Sequence, residues 1–202
     1  MTTTVANGYN GLLALSSNKN NVIFVAPEGL NNGWANQGGD DIALTDAVNS
    51  LIDNGLCVNP SLRFATGFSY GGGMTYSIAC SRSKVFRAVS VVAGAQLSGC
   101  SGGNDPIPYL GIHGVDDGTI GVSTGRSLRD KFVRNNGCQS TNAPEPARGS
   151  GSNRIKTSFQ GCRSGFPVTW IAHGGGHTDE VRDNNNQLWI PVETNSFFDQ
   201  FD

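Results

Sequence analysis

Residues 62–81 read LRFATGFSYGGGMTYSIACS. The first seven of these positions suit a β-strand, and the continuation GGGMTYSIACS reads as a helix despite its glycines. Between the two lies Gly67-Phe68-Ser69-Tyr70-Gly71, a G-x-S-x-G pattern. Small flanking residues there allow a strained strand-to-helix turn that lifts a serine hydroxyl clear of the backbone. A strand passing directly into a helix is the unit from which α/β sheets are built, so the rest of the chain should repeat it.

On the N-terminal side, the run VIFVA at 22–26, stopped by Pro27, predicts a strand buried on both faces of a parallel sheet. From Asp40 onward Ile42, Leu44, Val48, Leu51 and Ile52 recur at helical spacing, with Asp40 or Asp41 to cap the start and Gly55 the end. On the C-terminal side, further strands are expected at 86–93, 107–112 and 167–172, and an edge strand at 155–159. A helix is expected at 123–135, with Leu128, Phe132 and Val133 on one side. Ile190, Thr194, Phe197, Phe198 and Phe201 fall three or four apart and predict a terminal helix whose aromatic stripe belongs to the core. This alternation predicts an α/β class with a mostly parallel sheet flanked by helices. Without an internal repeat or a composition break, residues 1–202 read as a single domain.

The composition supports a packed domain and excludes several classes. With 37% hydrophobic residues, 15% charged residues and a net charge of -2, the chain lacks both the signature of disorder and the basic surplus that holds nucleic acid. No apolar run approaches the roughly 18 residues that a membrane span needs, and MTTTVANGYN lacks the build of a secretory signal. Glycine supplies 28 of 202 residues, against a usual share of about 7%, which implies many tight turns. Five cysteines without a C-x-x-C pair suit disulfides better than a zinc or redox site, and the odd count leaves at least one unpaired. The preferred bridge is Cys138 to Cys162, closing TNAPEPARGSGSN.

G-x-S-x-G occurs three times, at Ser69, Ser101 and Ser123. Only Ser69 follows a strand-like run and precedes a helix-like one, whereas Ser101 lies in a Gly/Asn loop and Ser123 suits an N-cap. Serine needs an imidazole to accept its proton, and His113, His173 and His177 are the only choices. His113, in Gly-Ile-His-Gly, suits a turn-holding role. His177, beyond the triglycine of Ala-His-Gly-Gly-Gly-His-Thr, has the reach to return over the sheet edge, while His173 suits packing. The orienting acid, between serine and histidine in chain order, is Asp116 or Asp117 after the fourth strand; Asp105 sits nearer a proline turn.

VIFVAPEGLNNGWANQGGDDIALTDAV, RFATGFSYGGGMTYSIAC, FRAVSVVAGAQLSGC, YLGIHGVDDG, GRSLRDKFVRNNGC and PVTWIAHGGGHT together resemble the secreted fungal feruloyl esterases. These are α/β-hydrolases that free ferulic acid from arabinoxylan and are similar to acetylxylan esterases and polyhydroxybutyrate depolymerases. The likeness covers nearly the whole chain. By position it matches Ser69 to the nucleophile, His177 to the base and Asp117, the second aspartate after His-Gly, to the acid. It implies secretion, plant cell-wall or small phenolic esters as partners, and no metal or cofactor. Tyr70 would give one oxyanion donor through its backbone N–H, and Trp34 and Tyr70 would border an aromatic acyl pocket unless Trp34 acts as a lid over the core. Family members carry earlier strands and a His-and-Gly-rich loop that supplies the second oxyanion donor. No counterpart is present in this sequence, so the expectation is an N-terminally incomplete hydrolase. A gap in the sheet would fall between 22–26 and the strand leading to Ser69. The alternatives are acetyl or hydroxyalkanoate esters as substrates, and an impaired or carbohydrate-binding remnant.

Overall fold

The computed structural model describes residues 8–15 and 22–201. In chain order its elements are α1 (Leu12–Leu15), α2 (Asp40–Gly55), β1 (Phe64–Phe68), α3 (Tyr70–Ser81), β2 (Ala88–Val92), β3 (Tyr109–Gly114), α4 (Val122–Asn135), β4 (Arg154–Ser158), β5 (Val168–His173) and α5 (Trp189–Phe198). The strands form one sheet in the order β1-β2-β3-β5-β4. All neighbours pair in parallel except β4, which runs antiparallel along β5.

Burial explains why the strands read as they do. Every residue of β2, β3 and β5 is buried, because helices cover both faces of the sheet there. On one face Val89, Tyr109 and Trp170 pack with Tyr76 of α3 and with Leu128 and Phe132 of α4. On the other, Val92, Ile112 and Ile171 meet Trp189, Ile190 and Phe197 of α5. The aromatic stripe of the terminal helix is therefore core, and Phe198 stacks on Phe64 at 4.6 Å between ring centroids. β4, with alternating exposure, is the expected edge strand.

Four expectations are corrected. Residues 22–26 form no strand: Val22, Ile23 and Val25 are exposed and the segment makes no backbone pairing with the described residues, among which β1 bonds only to β2 and ends the sheet. A run can be buried on both faces only where a neighbouring strand pairs with it, and none of the described strands does. With no strand at 22–26 there is no gap within the sheet, which among the described residues ends at β1. In α2 only Ile42 is buried; Val48 and Ile52 are half-buried, while Leu44 and Leu51 are exposed, Leu51 at 75%, so part of its apolar stripe faces outward. Neither Asp40 nor Asp41 is its N-cap; that position is Gly39, and Asp41 instead accepts the Asn36 N–H. Ser123 lies inside the first turn of α4, whose N-cap is Gly121, and its hydroxyl does not cap the helix.

Two disulfides are formed. Cys138–Cys162 is the expected bridge, Cys80–Cys100 is a second, and Cys57 is free and exposed. Among the described residues no helix is long and apolar enough to cross a membrane.

Candidate active site

β1 ends in the turn that presents Ser69, whose φ of 55° and ψ of -116° lie where a side chain is strained. Bare backbone on every side allows this conformation. A Cβ on Gly67 would come 2.4 Å from the Gly71 carbonyl, and one on Gly72 would come 2.8 Å from Val92 O. The turn is pinned by the Ser69 N–H donating to Val92 O at 3.0 Å and the Gly73 N–H donating to Ser69 O at 2.9 Å. Gly71, although part of the motif, has open space where a Cβ would stand, with nothing within 4 Å. Gly72, packed also against Gly94, lies outside the motif and carries no sequence signal, because its requirement comes from β2 rather than from its neighbours in sequence.

The ends of three strands converge here. His177 Nε2 stands 2.9 Å from Ser69 Oγ, and His177 Nδ1 stands 2.7 Å from Asp117 Oδ2. With its proton on Nδ1 and directed at the carboxylate, the neutral ring leaves Nε2 to accept from the serine hydroxyl. Phe68 flanks the same ring at 4.7 Å between centroids. The loop carrying His177 crosses the end of β3 because Gly114 has no side chain: a Cβ there would lie 2.3 Å from Gly175 O. The Asp116 N–H, donating to Gly175 O at 3.1 Å, ties the two loops together.

Asp117 has a fully buried side chain, and its other oxygen, Oδ1, accepts the N–H groups of Thr119 at 2.9 Å and Ile120 at 2.7 Å. Burial alone would raise its affinity for a proton; the hydrogen bonds from His177, Ile120 and Thr119 together outweigh it and hold the carboxyl below the usual carboxylate range. Asp116 instead faces Arg148 at 3.7 Å, and Asp105 faces Lys84 at 3.8 Å. His173 is buried, accepts the Gly175 N–H on Nδ1 and, through burial first of all, has its pKa lowered to about 4. His113 Nε2 lies 2.8 Å from Ile120 O, which agrees with a turn-holding role. Ser101 and Ser123 are exposed, and neither has a histidine partner.

The Tyr70 N–H opens α3, in the first turn, where N–H groups have no acceptor within the helix. Trp34 is 7% exposed and packs on Ile42, Met74 and Ile78, with Tyr70 against the same cluster. This is the lid-like placement over the core that its loop also suits. Asn36, another residue that sequence reasoning misses, pins this loop by donating to Ser98 O at 3.0 Å and accepting the Ile42 N–H at 3.1 Å. Two cavities, of about 480 Å³ beside Cys80 and Asp105 and about 280 Å³ beside Arg126 and Glu145, lie away from Ser69. Among the described residues no group of three His, Cys, Asp or Glu side chains is arranged to hold a metal ion.

A serine on a strand-to-helix elbow, with an acid and a histidine after later strands of one mostly parallel sheet, defines an α/β-hydrolase fold. The solved acetyl xylan esterase from Aspergillus awamori shares this fold, with a TM-score of 0.52 at 18% identity over 80% of this chain and 69% of that one. No protein-family model matches the chain. In sequence it is 50% identical to feruloyl esterase D of Neurospora crassa over 96% of this chain and 66% of that protein. It is also 52% identical to the probable feruloyl esterase C of Aspergillus terreus, over 87% and 64% respectively. The chain is thus a homologue of the feruloyl esterases, and it spans a little under two thirds of the length of these two relatives.

Proposed function

We propose that this chain is a serine carboxylesterase that hydrolyses feruloyl and related hydroxycinnamoyl esters of plant cell-wall arabinoxylan. The observation that carries the reading is the pair of contacts made by one imidazole, 2.9 Å to Ser69 Oγ and 2.7 Å to Asp117 Oδ2. Ser69 Oγ bonds to the ester carbonyl carbon while its proton passes to His177 Nε2, and Asp117 stabilises the imidazolium that forms. The carbonyl electron pair moves onto oxygen, where the Tyr70 N–H meets it. Collapse expels the sugar alkoxide, which takes the proton from His177. Water, deprotonated by the same nitrogen, then attacks the acyl-enzyme and releases the acid, restoring the Ser69 hydroxyl.

The feruloyl preference rests on the feruloyl esterase homologues. Two disulfides fit an oxidising compartment, and we place the enzyme outside the cell, with residues 1–202 acting as one catalytic domain. A second reading is a weakly active or inert remnant. It is favoured by β1 standing at the sheet edge, with no described strand beyond it to bring a second oxyanion donor. Loss of one such donor costs about 10²- to 10³-fold in turnover.

The test is hydrolysis of methyl ferulate and of a short-chain acetyl ester by the parent and by Ser69→Ala. Methyl ferulate is expected to be the better substrate and Ser69→Ala to be inactive on both. A parent faster on the acetyl ester would move the substrate class, and a Ser69→Ala variant as active as its parent would end the serine mechanism.

A further inference from the structure

Asp117 receives more than the triad requires. Its Oδ1 accepts two backbone N–H groups, and its Oδ2, which accepts His177 Nδ1–H, lies 3.3 Å from a second imidazole nitrogen, His113 Nε2. His113 sits in β3, four residues before Asp117, with its side chain 1% exposed. Its tautomer follows from its partner. Nε2 is 2.8 Å from Ile120 O, a carbonyl that can only accept, so Nε2 carries the proton. That N–H is bonded to Ile120 O, and Asp117 Oδ2 stands 3.3 Å from the same nitrogen, close enough to feel its positive end.

The surroundings fit a ring held for this purpose. α4 passes it with bare backbone, since a Cβ on Gly125 would lie 2.3 Å from His113 Nδ1. Trp170 of β5 stands beyond it, at 6.2 Å between centroids. The titratable groups that act on the ring are Asp117 and His177, and His173 of β5 is coupled to it as well. Burial is the largest influence and lowers its affinity for a proton, against the Ile120 and Asp117 contacts that raise it. A neutral ring donates a hydrogen bond without placing a second positive charge beside the imidazolium.

We infer that His113 is a positioning residue for ester hydrolysis: its Nε2–H, anchored on Ile120 O, holds the Asp117 carboxylate toward His177 and moderates how strongly that carboxylate stabilises the His177 imidazolium. The inference rests on the Ser69–His177–Asp117 reading and adds a fourth side chain to it. A carboxylate deprived of this donor is a stronger partner for a neighbouring cation. It is also less well oriented, and misplacement by about 1 Å can cost about 10²-fold.

The experiment compares parent, His113→Phe and His113→Gln, with Ser69→Ala as control, in pH profiles of kcat and kcat/KM on methyl ferulate. His113→Phe is expected to lower kcat by about 10- to 100-fold with KM nearly unchanged. Its acidic limb of kcat/KM should move up by about half a pH unit. His113→Gln, whose amide N–H reaches a similar point, should return the limb toward the parent position and recover most of kcat. A ring that merely fills space would leave the limb in place, and that outcome, or a Gln variant no better than Phe, overturns the inference. If neither variant folds, ¹⁵N shifts of the His113 ring in the parent decide. A neutral ring protonated on Nε2 from pH 5 to 8 supports the inference; one protonated on Nδ1, or titrating near pH 6.5, overturns it. Activity surviving in Ser69→Ala would remove the triad itself. An inactive Ser69→Ala beside an unmoved limb would remove His113 alone.

Discussion

The two ends of the proposed Ser69–His177–Asp117 triad stand on different ground. Asp117 and His177 follow β3 and β5, interior strands buried at every residue, and they are held by the N–H groups of Thr119 and Ile120 and by the tie from Asp116 to Gly175. Ser69 follows β1, which ends the sheet among the described residues and in which only Gly67 is fully buried. The acid and base are positioned by the centre of the fold. Ser69 is positioned chiefly by the contact of the elbow glycines with Val92 O at the end of β2 and with Gly94 just beyond it.

The largest effect expected on the well-supported side is from Asp117→Asn, which keeps the shape but favours the wrong histidine tautomer and should lower kcat by about 10⁴-fold. A loss under tenfold would show that the buried carboxylate does not orient His177. Next, Ile112→Ala, at the centre of β3, should cost about 2–5 kcal/mol in urea unfolding. Leu51→Ala, on the outward face of α2, should stay within about 0.5 kcal/mol. Equal costs would mean that the exposed side is covered in solution.

His173 sharpens the contrast through pH. Its affinity for a proton is depressed in the folded state, to a pKa of about 4, so the unfolded chain takes up the proton first. Stability is then full above the ordinary value of about 6.5 and is lost as pH falls toward 4, by on the order of 3 kcal/mol. Asp117, also depressed, contributes stability that is full above the usual carboxylate value and is lost only below it, so it does not share this window. Denaturation midpoints of parent and His173→Gln between pH 7 and 4.5 should converge on acidification; parallel curves would refute this origin. The smallest effect expected separates two adjacent glycines. Gly72→Ala drives a Cβ to 2.8 Å from Val92 O and should cost about 1–3 kcal/mol, while Gly71→Ala enters open space and should stay within about 0.5 kcal/mol. The reverse order would place that contact elsewhere.

Legibility in the sequence follows the same division. The elbow, the chain order serine, acid, histidine, and the strands β2, β3 and β5 can be read because each is a local pattern whose neighbours agree with it. Spacing alone leaves Asp116 and Asp117 open, since both follow the same strand and only the turn at 117–120 directs one of them inward. Residues 22–26 mislead because an apolar run records a tendency to be buried, whereas a strand requires a partner. The Gly72–Gly94 contact and the approach of His113 to Asp117 are hidden for a related reason: each joins separate elements or crosses a turn, and neither leaves a periodic trace. Trp34 in its Gly/Asn loop looks free for a ligand, yet the loop is pinned over α3 by Asn36.

The central claim is that one hydroxyl, out of all the serines in the chain, is made reactive by His177. It is tested most directly by labelling the parent and His177→Ala with a fluorophosphonate and mapping the adduct by mass spectrometry. The account predicts one adduct per chain, on Ser69, and its loss in His177→Ala; an unlabelled Ser69, or equal labelling of Ser69, Ser101 and Ser123 in both proteins, would contradict it.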